Sequence, residues 1–477
     1  MFRPAQLAKA MLAVAGGAIF CAVAYMMGTG KYLSSPVLWA LIPLSIATAA
    51  AHRRPRLIAL LYLAVVLLAF GSETVLETRL FHADLEKAFA IRDYVMERRR
   101  IEEFLATHGT DTGYARLSVP QQQDAQGNFL GLTLRDGKVV MPFLYQPGTT
   151  NLACKERGEW DLLYADRYGF FNPNPLWDSP AQVAIAGGSD IAGGCVAAEE
   201  RIDTRLRHAY PRLLNLSVPG TGALFRNAAI VEYARLVKPR VVVWFYTEND
   251  LLVRASDAKF PFLRKYLEPS FVQDIEHYRD QIWIKEPFKK QNFPDEALWP
   301  YLTRGIKERL PGLISLRETR GLLRNIASAQ LDEPSDGAKY FAQPAAADLA
   351  DYIDFVERSQ HEVLKWGGAF LVVIYPSPFT LQASAADNRA YDAGRKLIAE
   401  LMRQRGLVVL DLTKDMTGPD AIDLTYPPSW APAHLNSKGH AVLASRVEGY
   451  LRDALPGLPA EVFGELKSAP RPGGATP

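Results

Sequence analysis

The chain has 477 residues, enough for one large domain or two of ordinary size with appendages. Hydrophobic residues make up 48% and charged residues 22%, ordinary values for a protein with a packed core. The formal net charge of +2 excludes the strong basic excess of a nucleic-acid binder, so no nucleic-acid partner is expected.

Three apolar runs come first, at 10–27, 37–51 and 57–71. A membrane-crossing helix needs about 20 mostly apolar residues. The first and third runs reach that length with their flanks, while the second is short and contains Pro43. The expectation is a membrane anchor of about three transmembrane helices over 1–77. A cleaved signal peptide and a buried helical hairpin are the alternatives. The first lacks a small-x-small site before a polar stretch, and the second lacks a polar stripe. Arg3 and Lys9 precede the first run, and Arg53, Arg54 and Arg56 lie between the second and third. The positive-inside rule then puts both segments in the cytoplasm and everything beyond about residue 78 outside. Cys21 lies in the first run, and the rest of the chain holds only Cys154 and Cys195. In an oxidising compartment these two form a natural pair. Their disulfide would close a loop of about 40 residues, worth about 4 kcal/mol on the chain-entropy model. Two free buried cysteines are the alternative.

Residues 81–108 read as a charged helix, and 78–150 as stalk and linker, with short β-like pieces around Asp136-Gly137. An α/β domain is expected over 151–463. Apolar strands at 183–187, 213–217, 240–246, 369–375 and 407–411 alternate with helical patterns near 222–237, 345–366, 388–405 and 437–453. That alternation predicts a five-stranded parallel sheet covered on both faces. The crossover 251–345 is too long for a plain βαβ connection and reads as a helical insertion beside the active face, placed to act as a lid. The Pro/Gly/Ala-rich stretch 464–477 reads as a disordered tail.

Ligands of open α/β sheets bind beyond the carboxyl ends of the strands. After the first strand stands Gly187-Gly188-Ser189-Asp190, and after the second a loop containing Gly220. Thr247-Glu248-Asn249-Asp250 follows the third, and His434 precedes the last helix. Acyl transfer needs a nucleophile, a base and donors facing the oxyanion. Ser189, His434, and the group of Ser189 N–H, Gly220 N–H and the Asn249 side chain supply these. Each residue also has a plain structural reading: a helix cap for Ser189, a turn glycine for Gly220, a turn-former for Asn249, a surface loop residue for His434. Asp250 and His440 read as structural. No close His/Cys/Glu spacing of the zinc type and no Walker loop is present, so neither metal nor cofactor is expected.

The four blocks, in this order and spacing, resemble the SGNH (GDSL-type) hydrolase family. The segment Asp166-Arg167-Tyr168-Gly169-Phe170-Phe171-Asn172-Pro173 is similar to bacterial membrane-anchored members, as is Gly193-Gly194-Cys195-Val196 with an upstream cysteine. The likeness covers roughly 150–455 and implies a three-layer, flavodoxin-like fold. It also implies Ser189 as nucleophile, His434 as base, and Ser189, Gly220 and Asn249 as the oxyanion site. Three positions depart from the family pattern. Gly188 and Ala431 stand where the family has Asp, and Thr247 where it has Gly. The residue that orients the base is thus missing from its usual place; some other carboxylate, such as Asp423, or a backbone carbonyl would stand in, and a Ser189–His434 dyad is the expected minimal active site.

The resemblance implies an esterase or O-acyltransferase in the bacterial inner membrane, with its main domain periplasmic. Its substrate would be an acyl ester of a glycan or a lipid, O-acetyl esters and exported polysaccharide among them. Membrane lipids and a membrane-protein partner accompany that expectation. A catalytically inactive binding or scaffold subunit is the alternative.

Overall fold

A computed structural model describes residues 131–152, 154–251, 260–282, 334–418, 420–426 and 434–454, less a few single positions, and isolated helical positions between 71 and 101. The chain divides into two compact units, 1–97 with 290–333, and 98–289 with 334–477. The first contains the three apolar runs, which fall almost wholly outside the described residues, as does 464–477. Among the described residues no helix is long and apolar enough to cross a membrane. The stalk expected over 81–108 is described only at single helical positions such as Asp93, Glu97 and Arg100.

The second unit holds the α/β domain. It begins before the expected boundary at 151. Strands β1 (Leu132–Thr133) and β2 (Val139–Val140) form an antiparallel hairpin around Asp136-Gly137. Leu134, Val140, Met141 and Leu144 are buried in the main core, so this stretch is part of the domain and not a linker. A second hairpin pairs β3 (Thr150–Leu152) with β4 (Leu162–Tyr164).

The central sheet has five strands: β5 (Val183–Ala186), β6 (Leu213–Asn215), β7 (Val241–Tyr246), β8 (Ala369–Ile374) and β9 (Val408–Asp411). Their order is β6-β5-β7-β8-β9 and every pairing is parallel. This is the flavodoxin-like order. Side chains of a strand alternate between faces, and β7 shows the consequence. Val242, Trp244 and Tyr246 enter one core, and Val241, Val243 and Phe245 the other. Both faces are covered, which is why the strand is apolar without interruption. The first core is roofed by the helices Ala223–Ala229, Ala346–Lys365 and Ala385–Gln404, and the second by Ile202–Arg207 and Ser437–Ala454.

The insertion 251–345 does not behave as one element. Its described part 260–282 packs on the helical layer of the first core. Phe260 stacks edge-on against Phe225, with ring centroids 4.8 Å apart, and Tyr266 Oη donates to the buried Glu232 at 2.7 Å. Arg358 Nε donates to the Tyr266 carbonyl at 3.1 Å. Residues 290–333 group with the other unit. The rest of the insertion, apart from Leu251 and 334–344, lies outside the described residues, and the expected lid with it.

Candidate active site

The chain leaves β5 through Gly187 and Gly188 and turns at once into the helical turn Ser189–Ala192. A Cβ on Gly187 would lie 2.5 Å from the Ile191 side chain, so this reversal requires glycine. Ser189 N–H, at the first position of the turn, has no intrahelical acceptor. Gly220 follows β6 with φ of 65°, a left-handed conformation that favours glycine. Asn249 follows β7. Ser189, Gly220 and Asn249 line one depression, together with Thr221, Thr247 and Tyr375. The structure thus brings a hydroxyl and the three expected donor residues to one wall.

His434 arrives from the segment before the helix Ser437–Ala454, and its Nε2 lies 3.0 Å from Ser189 Oγ. The other ring nitrogen is not left to a backbone carbonyl. Glu156 Oε1 lies 2.5 Å from His434 Nδ1, and Glu156 Oε2 accepts the His434 backbone N–H at 3.0 Å. One carboxylate therefore fixes the ring and the main chain that carries it. With Nδ1–H donated to Glu156, Nε2 faces the serine as an acceptor. Burial favours the neutral ring, but the Glu156 hydrogen bond and the charges of Asp190 and Glu156 outweigh it and hold His434 above its ordinary value.

Glu156 was not among the residues singled out from the sequence. It lies between β3 and β4, in neither the last block nor any strand end of the central sheet. Another carboxylate does stand in, as expected, but it is Glu156 and not Asp423, whose exposed carboxylate faces Lys438 Nζ at 3.7 Å; the histidine is therefore not left in the bare Ser189–His434 dyad expected from the sequence. Ala431 lies outside the described residues. Cys154 and Cys195 are bonded to each other, with Cα atoms 5.3 Å apart. Donor atoms of Glu156, Cys195 and His434 lie within 4.8 Å of one another. The disulfide and the Glu156–His434 hydrogen bond already engage them, and metal ligation by cysteine needs a thiolate.

Neighbouring side chains hold the loops of the site. Asp190 Oδ1 accepts the Leu435 N–H at 3.1 Å, tying the nucleophile turn to the histidine segment. Desolvation raises the Asp190 carboxyl against the pull of His434. The Asp166 segment has a scaffolding role. Asp166 accepts from the backbone of Tyr168, Phe170 and Asn172 and from Trp177 Nε1. Asn172 then bridges to the Asn215 backbone, and Asn215 Nδ2 donates to the Ile191 carbonyl at 2.8 Å. Asp250 is structural: it forms a two-pronged pair with the buried Arg226, both distances 2.6 Å. Arg226 also explains the room at Gly188, where an added Cβ would stand 3.2 Å from its Nη2.

His440 is packed in the helix that follows, where its Nδ1 accepts the Ile202 N–H at 3.2 Å. Burial, then the nearby Arg205 and Arg201, push it down to about 3. Its folded pKa is thus below the unfolded value, so the unfolded chain takes up the proton first. Stability should fall as pH drops from about 6.5 towards 3, by about 2 kcal/mol at pH 5 from this residue. Denaturant titration at pH 7 and pH 5 checks this. His440→Gln, which keeps an acceptor for Ile202, should lose that part of the pH dependence.

No protein-family model and no curated protein matches the chain. Among solved structures it is similar in part to a GDSL-like lipase from Bacteroides ovatus, at 9% identity and a TM-score of 0.30, over 59% of this chain and 55% of that one. It is also similar to an acylhydrolase from Bacteroides fragilis, at 9% identity and a TM-score of 0.25, over 58% of this chain and 90% of that one. A third is a salicylyl-acyltransferase from a tetracycline biosynthetic pathway, at 15% identity and a TM-score of 0.28, over 58% and 57% of the two chains. The chain spans little more than half the length of the first and third. The sheet order is the flavodoxin-like one, with Ser189 directly after β5 and His434 just before the helix Ser437–Ala454.

Proposed function

We propose that this chain is an SGNH-type serine esterase or O-acyltransferase working through a Ser189–His434–Glu156 triad. The observation that carries the reading is the pair of contacts to one imidazole, 3.0 Å from Nε2 to Ser189 Oγ and 2.5 Å from Nδ1 to Glu156. In that chemistry Ser189 Oγ attacks an ester carbonyl while its proton passes to His434 Nε2. The developing oxyanion is met by Ser189 N–H, Gly220 N–H and the Asn249 amide. The imidazolium, held by Glu156, gives its proton to the departing alkoxide. Water or a second hydroxyl then takes the acyl group from Ser189 with His434 again as base.

The finer reading is an enzyme anchored by 1–77 that acts outside the cytoplasm on acyl esters of glycans or lipids, O-acetyl esters first. The anchoring and location rest on the apolar runs, the flanking charges and the cysteine pair, and the substrate class on the resemblance alone. The alternative of an inactive scaffold subunit rests on the loss of Asp at both Gly188 and Ala431; Glu156 supplies the partner that His434 would otherwise lack and so weakens the second ground. Incubating the full chain in detergent with a fluorophosphonate probe is the test. Wild type should label and Ser189→Ala should not; equal labelling of both, or none of either, defeats the proposal.

A further inference from the structure

The acid of the triad comes from an unusual place. Glu156 sits in the 153–161 connection of the β3–β4 hairpin, a two-stranded ribbon separate from the central sheet. Its buried Leu152 and Leu163 belong to neither of the two cores that sandwich the sheet. Sheet packing therefore does not by itself fix where Glu156 lies.

A covalent bond does reach this segment. Cys154, two residues before Glu156, is bonded to Cys195, which follows the Ser189 turn by way of Gly193 and Gly194. Gly193 is left-handed, with φ of 68°, and Val196 N–H donates to its carbonyl at 3.3 Å, so the return of the chain to Cys195 is defined. Cys195 Sγ lies 3.5 Å from His434 Nδ1, the same nitrogen that faces Glu156. One disulfide thus joins the segment of the nucleophile to the segment of the acid, and its sulfur packs on the ring between them. Asp161 N–H donating to the Cys154 carbonyl at 3.0 Å, and Arg157 Nε donating to Asp161 at 2.8 Å, close the hairpin tip around this anchor.

We infer that Cys154 and Cys195 are positioning residues of the triad, and that reducing their disulfide releases Glu156 from His434 and lowers the reactivity of Ser189. The inference rests on the serine-enzyme reading above. The step is a two-electron thiol–disulfide exchange: a dithiol attacks the cystine and is itself oxidised to a disulfide. Two electrons and two protons pass to Cys154 and Cys195, which become thiols. Cys195 is buried and Cys154 half-buried, so attack is expected at the Cys154 sulfur. Misplacement of a catalytic group by about 1 Å can cost about 10²-fold in rate.

The experiment measures fluorophosphonate labelling of Ser189 against pH, with the full chain in detergent. The forms compared are oxidised wild type, wild type reduced with dithiothreitol and alkylated, and Cys154→Ser/Cys195→Ser, each with and without Glu156→Gln. The expected result is a fall of about 10²-fold on reduction, an acid limb displaced to lower pH, and no further fall in the Glu156→Gln background. Reoxidation of the unalkylated protein should restore the rate. Labelling of the reduced protein at the oxidised rate overturns the inference alone. A loss that adds in full to that of Glu156→Gln also overturns it, because the disulfide would then act on the fold and not through the acid. An oxidised wild type that labels no better than Ser189→Ala overturns the serine-enzyme reading, and the inference with it.

Discussion

Replacing Glu156 with Gln should lower kcat/KM by up to about 10⁴-fold, the cost of neutralising the acid of a serine triad. Two effects combine. An amide has no charge to stabilise the imidazolium that forms as Ser189 attacks. Its NH₂ can also donate to Nδ1, which favours the ring tautomer with a proton on Nε2, where the serine needs an acceptor. The sign of the pH effect follows from what surrounds the ring. Burial pulls His434 down, while Glu156 and Asp190 pull it up and prevail. In wild type the base is therefore neutral only above its raised pKa, and activity should climb with pH through a limb lying above the ordinary histidine value. Glu156→Gln removes the hydrogen-bonded charge and leaves Asp190 to oppose burial, so the limb should move to lower pH as the plateau falls. Glu156→Asp, with a shorter carboxylate, should recover part of the plateau. A pH–rate profile of ester hydrolysis decides: an unmoved limb with an unchanged plateau would mean that Glu156 plays no part in the chemistry.

The history of this residue shows what a sequence displays and what it hides. The five strands were legible because each is a short β-branched run set between helical patterns. The structure places β5 to β9 within a residue or two of the ranges read from the sequence. Ser189, Gly220 and Asn249 were legible because strand ends are where such sheets put their ligands, and His434 because it stands between the last strand and the last helix. Glu156 was hidden because it belongs to no such end: 278 positions separate it from His434, and its hairpin is a two-stranded satellite. A signal was nevertheless present. If Cys154 bonds to Cys195, a carboxylate two residues from Cys154 must lie near the loop that follows Ser189. Taken only as a staple of stability, the disulfide leaves open which carboxylate stands in; taken as a distance restraint, it points to Glu156 over Asp423. The hairpin around Asp136-Gly137 was seen, but its strands have only two residues each. Nothing so short announces that Leu134 and Met141 are core, and the domain boundary was consequently drawn too late.

Arg226 gave no sequence signal, and its replacement should have the largest effect on stability. The guanidinium is buried beneath the site and holds three segments at once. Its Nη1 donates to the Phe245 carbonyl at 2.7 Å, both Nη atoms meet Asp250 at 2.6 Å, and Nη2 faces the Thr221 carbonyl at 3.5 Å. Thr221 adjoins Gly220, and Asp250 adjoins Asn249, so the cation holds together the two loops that carry oxyanion donors. Tyr352 Oη completes the cluster, donating to Asp250 at 2.8 Å while accepting from Trp244 Nε1 at 2.8 Å. Burial alone would weaken the charge on Arg226; Asp250 more than compensates and keeps it protonated. Arg226→Met removes the cation and leaves the Asp250 carboxylate buried with only neutral donors, which should cost about 3–5 kcal/mol. Asp250→Asn in the same chain should return part of that loss, since the stranded charge disappears while Tyr352 keeps an acceptor; the two changes will then be far from additive. Denaturant midpoints of the two single variants and the double variant measure this. Arg226→Met within about 1 kcal/mol of wild type would show that the pair contributes no more than a surface salt bridge. The double variant should regain stability without regaining labelling of Ser189, because an amide at 250 spares the charge but no longer draws the two donor loops onto one cation.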